Sequence, residues 1–153
     1  MTVEARLKAL NIVLPTPPAP VASYVPYVVS GKNVYISGQV TLTPEGVKFI
    51  GTVGKDLSIE DGKAAARLCG LNVIAQAKAA CGGDLERVIR VVKLTVFVNA
   101  VPGFTQHPEV ANGASDLFVE VFGDAGRHAR AAVGAGSLPR NVATEVEAIL
   151  EIA

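Results

Sequence analysis

Apolar positions along this chain change their spacing several times, and each change marks an element. Val3, Leu7 and Leu10 recur at helical spacing and predict a short amphipathic helix over residues 2–10. The run from Leu14 to Pro20 carries Pro15, Pro17, Pro18 and Pro20, so it is extended and cannot be a central strand. From Ser23 the chain turns β-rich, with Tyr24, Val25, Tyr27, Val28 and Val29. Ser30-Gly31-Lys32-Asn33 predicts a turn, and Val34 to Ser37 a returning strand that Gly38-Gln39 closes. Thr43 to Gly46 reads as a further turn, and Val47 to Gly51 as a third short strand.

The spacing then lengthens. Ser58 is a good N-cap and Asp61, three residues on, resembles a capping box with Asp in place of Glu. Ala64, Leu68, Leu71, Ala75 and Ala79 predict one apolar stripe of a long helix laid on a sheet, ended by Gly82-Gly83. Val88 to Val98 predicts a core strand with Lys93 as the charge deep within it. Pro108 sits near the N1 position of a second helix running to Phe122, with Val110, Leu117, Phe118 and Val121 as its apolar face and Gly123 as its stop. His128 to Ala153 predicts two short strands around a turn. The order β-β-β-α-β-α-β-β places helices over one face of a sheet and makes the chain α+β. Residues 1–20 are expected to form a helix and proline-rich lead-in, and residues 21–153 a single domain.

Composition narrows the class. A chain of 153 residues is long enough to bury one core. Half of the residues are apolar and 18% are charged, which excludes a disordered chain. Lys plus Arg equals Asp plus Glu at 14 each, and Trp is absent. Neither nucleic acid nor an anionic membrane surface is therefore an expected partner. A mean hydropathy of +0.38 exceeds what one small domain can hide and predicts a homo-oligomer. The N-terminus lacks the pattern of a secretory signal, and no apolar run reaches the ~20 residues that span a bilayer. The cytoplasm is the expected location. Cys69 and Cys81 match neither a zinc spacing nor a redox pair and are expected to be reduced thiols.

Chemistry-bearing motifs are sparse. The chain has no Walker loop and no G-x-G-x-x-G. His107 and His128 are its only histidines and lack the spacing of a metal site, so no metal is expected. Ser137 has no His/Asp constellation. Arg130 stands out because only alanines flank it, and by the two-residue period its face also holds His128, Ala132 and Gly134. It reads either as an interface arginine or as a bidentate carboxylate clamp, since the guanidinium fork matches a carboxylate. Glu145 and Glu147 share one strand face with Ile149. Either acid could be solvated, pair with Arg130, or orient water.

Several stretches resemble one family. They are Tyr35-Ile36-Ser37-Gly38-Gln39, the run Val91 to Val98, Glu120-Val121-Phe122-Gly123, and Arg130 followed by Ser137-Leu138-Pro139 and Val142 to Glu147. Together they make the chain similar to the Rid (YjgF-like) reactive enamine/imine deaminases, also called endoribonuclease L-PSP-like proteins. The resemblance covers about Pro18 to the C-terminus. The length, the helical extension and Gly126-Arg127-His128-Ala129-Arg130 resemble a longer subgroup.

The resemblance implies a chorismate-mutase-like fold: a six-stranded mixed sheet with two helices on one face, assembled as a homotrimer with ligand clefts between subunits. It implies that Arg130 binds the substrate carboxylate and that Glu145, in preference to Glu147, positions the hydrolytic water. The cleft tyrosine falls on Tyr24, with Tyr27 as the alternative, and Ser37 and Gly38 shape the cleft floor. The founding type's cleft asparagine falls on Ser115 and its cysteine on Ala132, so specific contacts to substrate differ here. The implied reaction is cofactor-free hydrolysis of an enamine or imine to a 2-keto acid and ammonia, with a small carboxylate or imino acid as ligand. A non-catalytic carboxylate-binding trimer, a ribonuclease and a chorismate-mutase-like reaction are the rivals.

Overall fold

The β-branched run after the long helix becomes the middle of the molecule. In the computed structural model, which describes residues 1–19 and 22–153, the elements are α1 (Val3–Ala9), β1 (Tyr27–Ser30), β2 (Asn33–Gln39), β3 (Leu42–Thr43), β4 (Gly46–Val47), α2 (Ile59–Ala80), β5 (Val88–Asn99), α3 (His107–Phe122), β6 (Ala129–Ala135) and β7 (Thr144–Ile152). Pro20 and Val21, on either side of the expected boundary between lead-in and domain, lie outside the described residues. Five strands form one mixed sheet in the order β1-β2-β7-β5-β6, where only β5 and β6 run parallel. A parallel neighbour needs a crossover, and α3 supplies it.

The fold is α+β as expected, but the main sheet has five strands, not six. The third strand expected over Val47 to Gly51 shrinks to β4, which pairs only with β3. Phe49 (φ 52°) and Gly51 (φ 139°) take the extended run out of strand geometry. The first strand begins at Tyr27, later than its β-rich composition indicated. Pro26 precedes it, has no N–H to give a ladder, and instead accepts from Ser37 N at 2.9 Å. The closing stretch is not a hairpin. β5 lies between β6 and β7, pairing with the first in parallel and with the second antiparallel.

Both long helices cover one side of the sheet, and α1 adds a third helix against α3. The capping box at Ser58 and Asp61 is formed. The face of α3 is as expected: Val110, Leu117, Phe118 and Val121 are fully buried. That of α2 is turned about the helix axis. Ala65, Ala66, Cys69, Val73 and Ala77 are buried together with Ala75 of the expected stripe, whereas Ala64 and Ala79 are exposed and Leu68 and Leu71 only half-buried. Small residues on this face let the backbones close up. A Cβ built on Gly113 of α3 would lie 2.0 Å from the Lys63 carbonyl oxygen of α2. Cys69 faces the sheet, where Thr144 of β7 meets its Sγ, and burial pushes its thiol up to about 12.

The N-terminal helix is part of this core. Val3 and Leu7 are buried, Lys78 Nζ meets Glu4 Oε1 at 3.0 Å, and the Val3 N–H donates to Glu86 Oε1. On the opposite side of the sheet, Lys93, Thr95 and Phe97 of β5 and Glu145, Glu147 and Ile149 of β7 share the open face. Val28, Tyr35 and Val133 are 51%, 46% and 43% exposed there. The apolar excess seen in the composition is this uncovered sheet.

Candidate anion-binding site

Arg130 stands on the edge strand β6 directly across from Leu94 of β5. Leu94 is fully buried beneath the helices, so the arginine rises on the same, helix-covered side. There it meets α3. Its Nη1 donates to Asn112 Oδ1 at 2.8 Å and to Ser115 Oγ at 3.1 Å. Both protons of that nitrogen are thus used on neutral oxygens, which leaves the donors of Nε and Nη2 over. Among the described residues, no carboxylate comes within ion-pairing distance of this half-buried guanidinium. A half-buried guanidinium with donors left over and no carboxylate beside it is a candidate for holding an anion.

Ser115 connects it to a histidine. Ser115 Oγ lies 2.9 Å from His128 Nε2, and His128 Nδ1 lies 2.6 Å from the Gly126 carbonyl oxygen. A carbonyl only accepts, so Nδ1 carries the ring proton and Nε2 accepts from the Ser115 hydroxyl. That hydroxyl then presents a lone pair to Arg130. Burial lowers the His128 pKa, the Gly126 carbonyl opposes the shift, and the Arg130 charge adds to it, which favours the neutral ring. Phe118 meets the imidazole edge-on with centroids 6.0 Å apart.

Asn112 is the residue that the sequence reading missed. It lies one helical turn before Ser115, on the same face of α3, and both reach Arg130. With exposed Glu109 and Asp116 one turn to either side, that strip of α3 reads as an ordinary solvated face, so its spacing carried no signal for Asn112. Ala132, the next residue on the Arg130 face, is half-buried and packs against the core. Beyond it, the position a Cβ would take on Gly134 lies 2.8 Å from His107 Nε2.

Glu145, Ser37 and Gly38 form a second group elsewhere. Glu145 pairs with Phe97 and so points to the open face, away from Arg130. The β2–β7 register breaks between Ile36 and Gln39, so Ser37 and Gly38 form a bulge. The Glu145 carboxyl rests on it: a Cβ on Gly38 would lie 2.9 Å from Glu145 Cδ. Burial, and then the neighbouring Glu147, raises the Glu145 pKa. Ser37 Oγ donates to the Val25 carbonyl at 2.7 Å and ties down the segment that carries Tyr24, which is 65% exposed. Glu147 is exposed and, with Lys93, Thr95 and Tyr35, lines a shallow cavity of about 380 Å³ on the open face.

The expected site residues therefore fall into two groups. Arg130, Ser115 and Ala132 stand together with Asn112 and His128. Glu145, Ser37 and Gly38 stand together near Tyr24. Within one chain the groups do not meet. β6 and β7 are two strand spacings apart, roughly 10 Å, with β5 between them, and the two charged side chains leave opposite faces.

Comparison with known proteins shows what the chain as a whole is similar to. The model of a family described as "YjgF/chorismate_mutase-like, putative endoribonuclease" matches residues 4–152. Protein TCP17 of Trypanosoma cruzi is 50% identical over 151 residues, covering 98% of this chain and 94% of that protein. The crystal structure of Atu1372 from Agrobacterium tumefaciens, a protein described as of unknown function, superposes with a TM-score of 0.92 at 45% identity over 99% of this chain and 94% of that one. Escherichia coli TdcF, solved with bound serine, superposes with a TM-score of 0.63 at 25% identity, over 92% of this chain and 98% of that one.

Proposed function

Because this chain belongs to the YjgF/chorismate mutase-like family, we propose that it is a cofactor-free hydrolase of small amino-acid-derived enamines or imines, held by their carboxylate on Arg130. One observation carries the reading: a half-buried guanidinium that spends Nη1 on Asn112 and Ser115 and has no carboxylate of its own chain to neutralise it. Nε and Nη2 form the planar fork that a carboxylate fills with two charge-assisted hydrogen bonds. The serine bound to TdcF is a small amino acid, in keeping with such a ligand.

In this reading Glu145 activates water toward the imine carbon. Burial and Glu147 raise its pKa, which makes it a better proton acceptor than a free carboxylate. Addition of water gives a carbinolamine, and its collapse releases ammonia and leaves the 2-keto acid. The imine is already electrophilic, so the chain's own groups need only orient and transfer protons.

Arg130 and Glu145 lie too far apart in one chain to act on one small molecule. We therefore assign the complete site to two subunits of a homotrimer, one giving the Arg130 group and the next giving Glu145, Gly38, Ser37 and Tyr24. The uncovered, partly apolar sheet face supports such an assembly. A non-catalytic carboxylate-binding trimer would use the same Arg130 group, and ammonia release separates the two readings. Ribonuclease activity draws no support from a chain with zero net charge.

Mixed oligomers test the assignment. R130A and E145A chains, each inactive alone, are refolded together in equal amounts and assayed for ammonia release from freshly generated 2-aminoacrylate. Random mixing makes about a quarter of the inter-subunit sites whole, so about a quarter of wild-type activity returns. No recovery refutes the shared site, and no activity in the wild-type protein refutes the hydrolase.

A further inference from the structure

Between the Gly126 carbonyl and the guanidinium runs an unbroken chain of hydrogen bonds: Gly126 O to His128, His128 to Ser115, Ser115 to Arg130, at 2.6, 2.9 and 3.1 Å. The proposed hydrolysis has no use for His128, yet the ring is half-buried and holds its Nδ1 proton on a backbone carbonyl. That bond sets which nitrogen faces Ser115 and hence which way the Ser115 hydroxyl points. With its hydroxyl donated to Nε2, Ser115 offers Arg130 a lone pair. Without a ring nitrogen there, the hydroxyl is free to rotate, and its proton can face the arginine's own; a protonated ring instead donates Nε2–H to Ser115 Oγ, whose second lone pair still serves Arg130.

We propose that His128 is the positioning residue of the Arg130 site: through Ser115 it fixes the guanidinium by Nη1 with Nε and Nη2 turned to the ligand, and it takes up a proton when an anion binds there. The inference rests on the anion-binding reading of Arg130. Its electrostatic half follows from proximity. His128 Nε2 and Arg130 Nη1 contact the same oxygen, so they lie within the roughly 6 Å over which charges shift each other's titration. An empty Arg130 repels a proton on His128. A carboxylate on Arg130 cancels that repulsion and lets the ring charge, and by reciprocity a charged ring tightens the anion.

Other charges near the ring do not provide the same coupling. The elements packed around it carry Asp116 and Glu120 on α3, Asp124 and Arg127 in the turn before β6, and Arg90 and Lys93 on β5. Arg127 and Asp124 pair with each other at 3.6 Å, and Glu120 pairs with Arg67 at 3.4 Å. Arg130 is the charged group that acts on the His128 titration. It is also the one that the ligand neutralises.

The test is calorimetric titration of the full-length protein with pyruvate, which stays ionised throughout, from pH 5 to pH 8 in buffers of different ionisation enthalpy. Wild-type protein is expected to take up a fraction of a proton on binding, and its affinity to rise as pH falls through the imidazole range. H128Q keeps an acceptor for the Ser115 hydroxyl but does not titrate, so it loses the proton uptake. H128F keeps the packing on Phe118 but offers no acceptor, and it binds roughly tenfold more weakly than H128Q at pH 8. Proton uptake that persists in H128Q belongs to another group, such as Glu145, and overturns the coupling. Equal affinities for H128Q and H128F overturn the positioning role. Binding by the wild type but not by R130A, with either of those results, sinks this inference alone; pyruvate that binds R130A as well as wild type sinks the anion site with it.

Discussion

Arg130→Met separates a ligand-binding arginine from a structural one. Methionine keeps most of the apolar stem along β6 and removes the guanidinium. In the bound state two charge-assisted hydrogen bonds from Nε and Nη2 are lost, at about 1.5–3 kcal/mol each. The site is half-exposed, which favours the lower end, so the total is about 3–4 kcal/mol. At about 1.4 kcal/mol per decade, affinity for pyruvate falls by two to three orders of magnitude.

The fold responds differently. The variant forfeits the Nη1 bonds to Asn112 and Ser115 but also sheds a half-buried charge that has no counter-ion in its own chain. These effects oppose each other, and the net change is expected within about 1 kcal/mol, a Tm shift of about 2–4 °C for a domain of this size. Titration calorimetry reads the first quantity and scanning calorimetry the second. Pyruvate binding that survives within about threefold, or a Tm that drops by about 10 °C, would make Arg130 a structural residue and not a ligand-binding one.

Two further outcomes follow from the Glu145 group. Gly38→Ala puts a Cβ 2.9 Å from the Glu145 carboxyl carbon, so that carboxyl must move; turnover is expected to fall about tenfold or more while the urea midpoint changes little, because the displaced group is the end of a flexible side chain. Glu145→Gln is expected to abolish turnover and raise Tm at neutral pH. Burial and Glu147 raise the folded-state pKa of Glu145 above its unfolded value, so its stabilising contribution is complete below the unfolded pKa and is lost as pH rises through the folded one. The Tm difference between E145Q and wild type should therefore vanish at acid pH, and a constant difference across pH would count against the shift.

Local pattern determined much of this protein. Periodicity found both long helices, the capping box at Ser58 and the face of α3, since these depend on residues a few positions apart. It found the core strand, because a run of β-branched residues has few other uses. It singled out Arg130 through its small neighbours, and the motif resemblance identified the family. Spacing could not find Asn112, because its role exists only once α3 lies over β6. It could not set the rotation of α2 either, where α3 closes on the helix at Gly113 and Leu68 and Leu71 are left half-buried.

The largest matter left to tertiary structure is the relation between Arg130 and Glu145. In sequence they belong to consecutive strands and read as companions across a turn. Folding inserts β5 between those strands and sends the two side chains to opposite faces. Strand order is decided by which apolar faces find burial over the whole sheet, and no local spacing encodes it. Local spacing marked an arginine set among small residues and an acid on the last strand. Their separation within one chain arises only when β5 packs between β6 and β7.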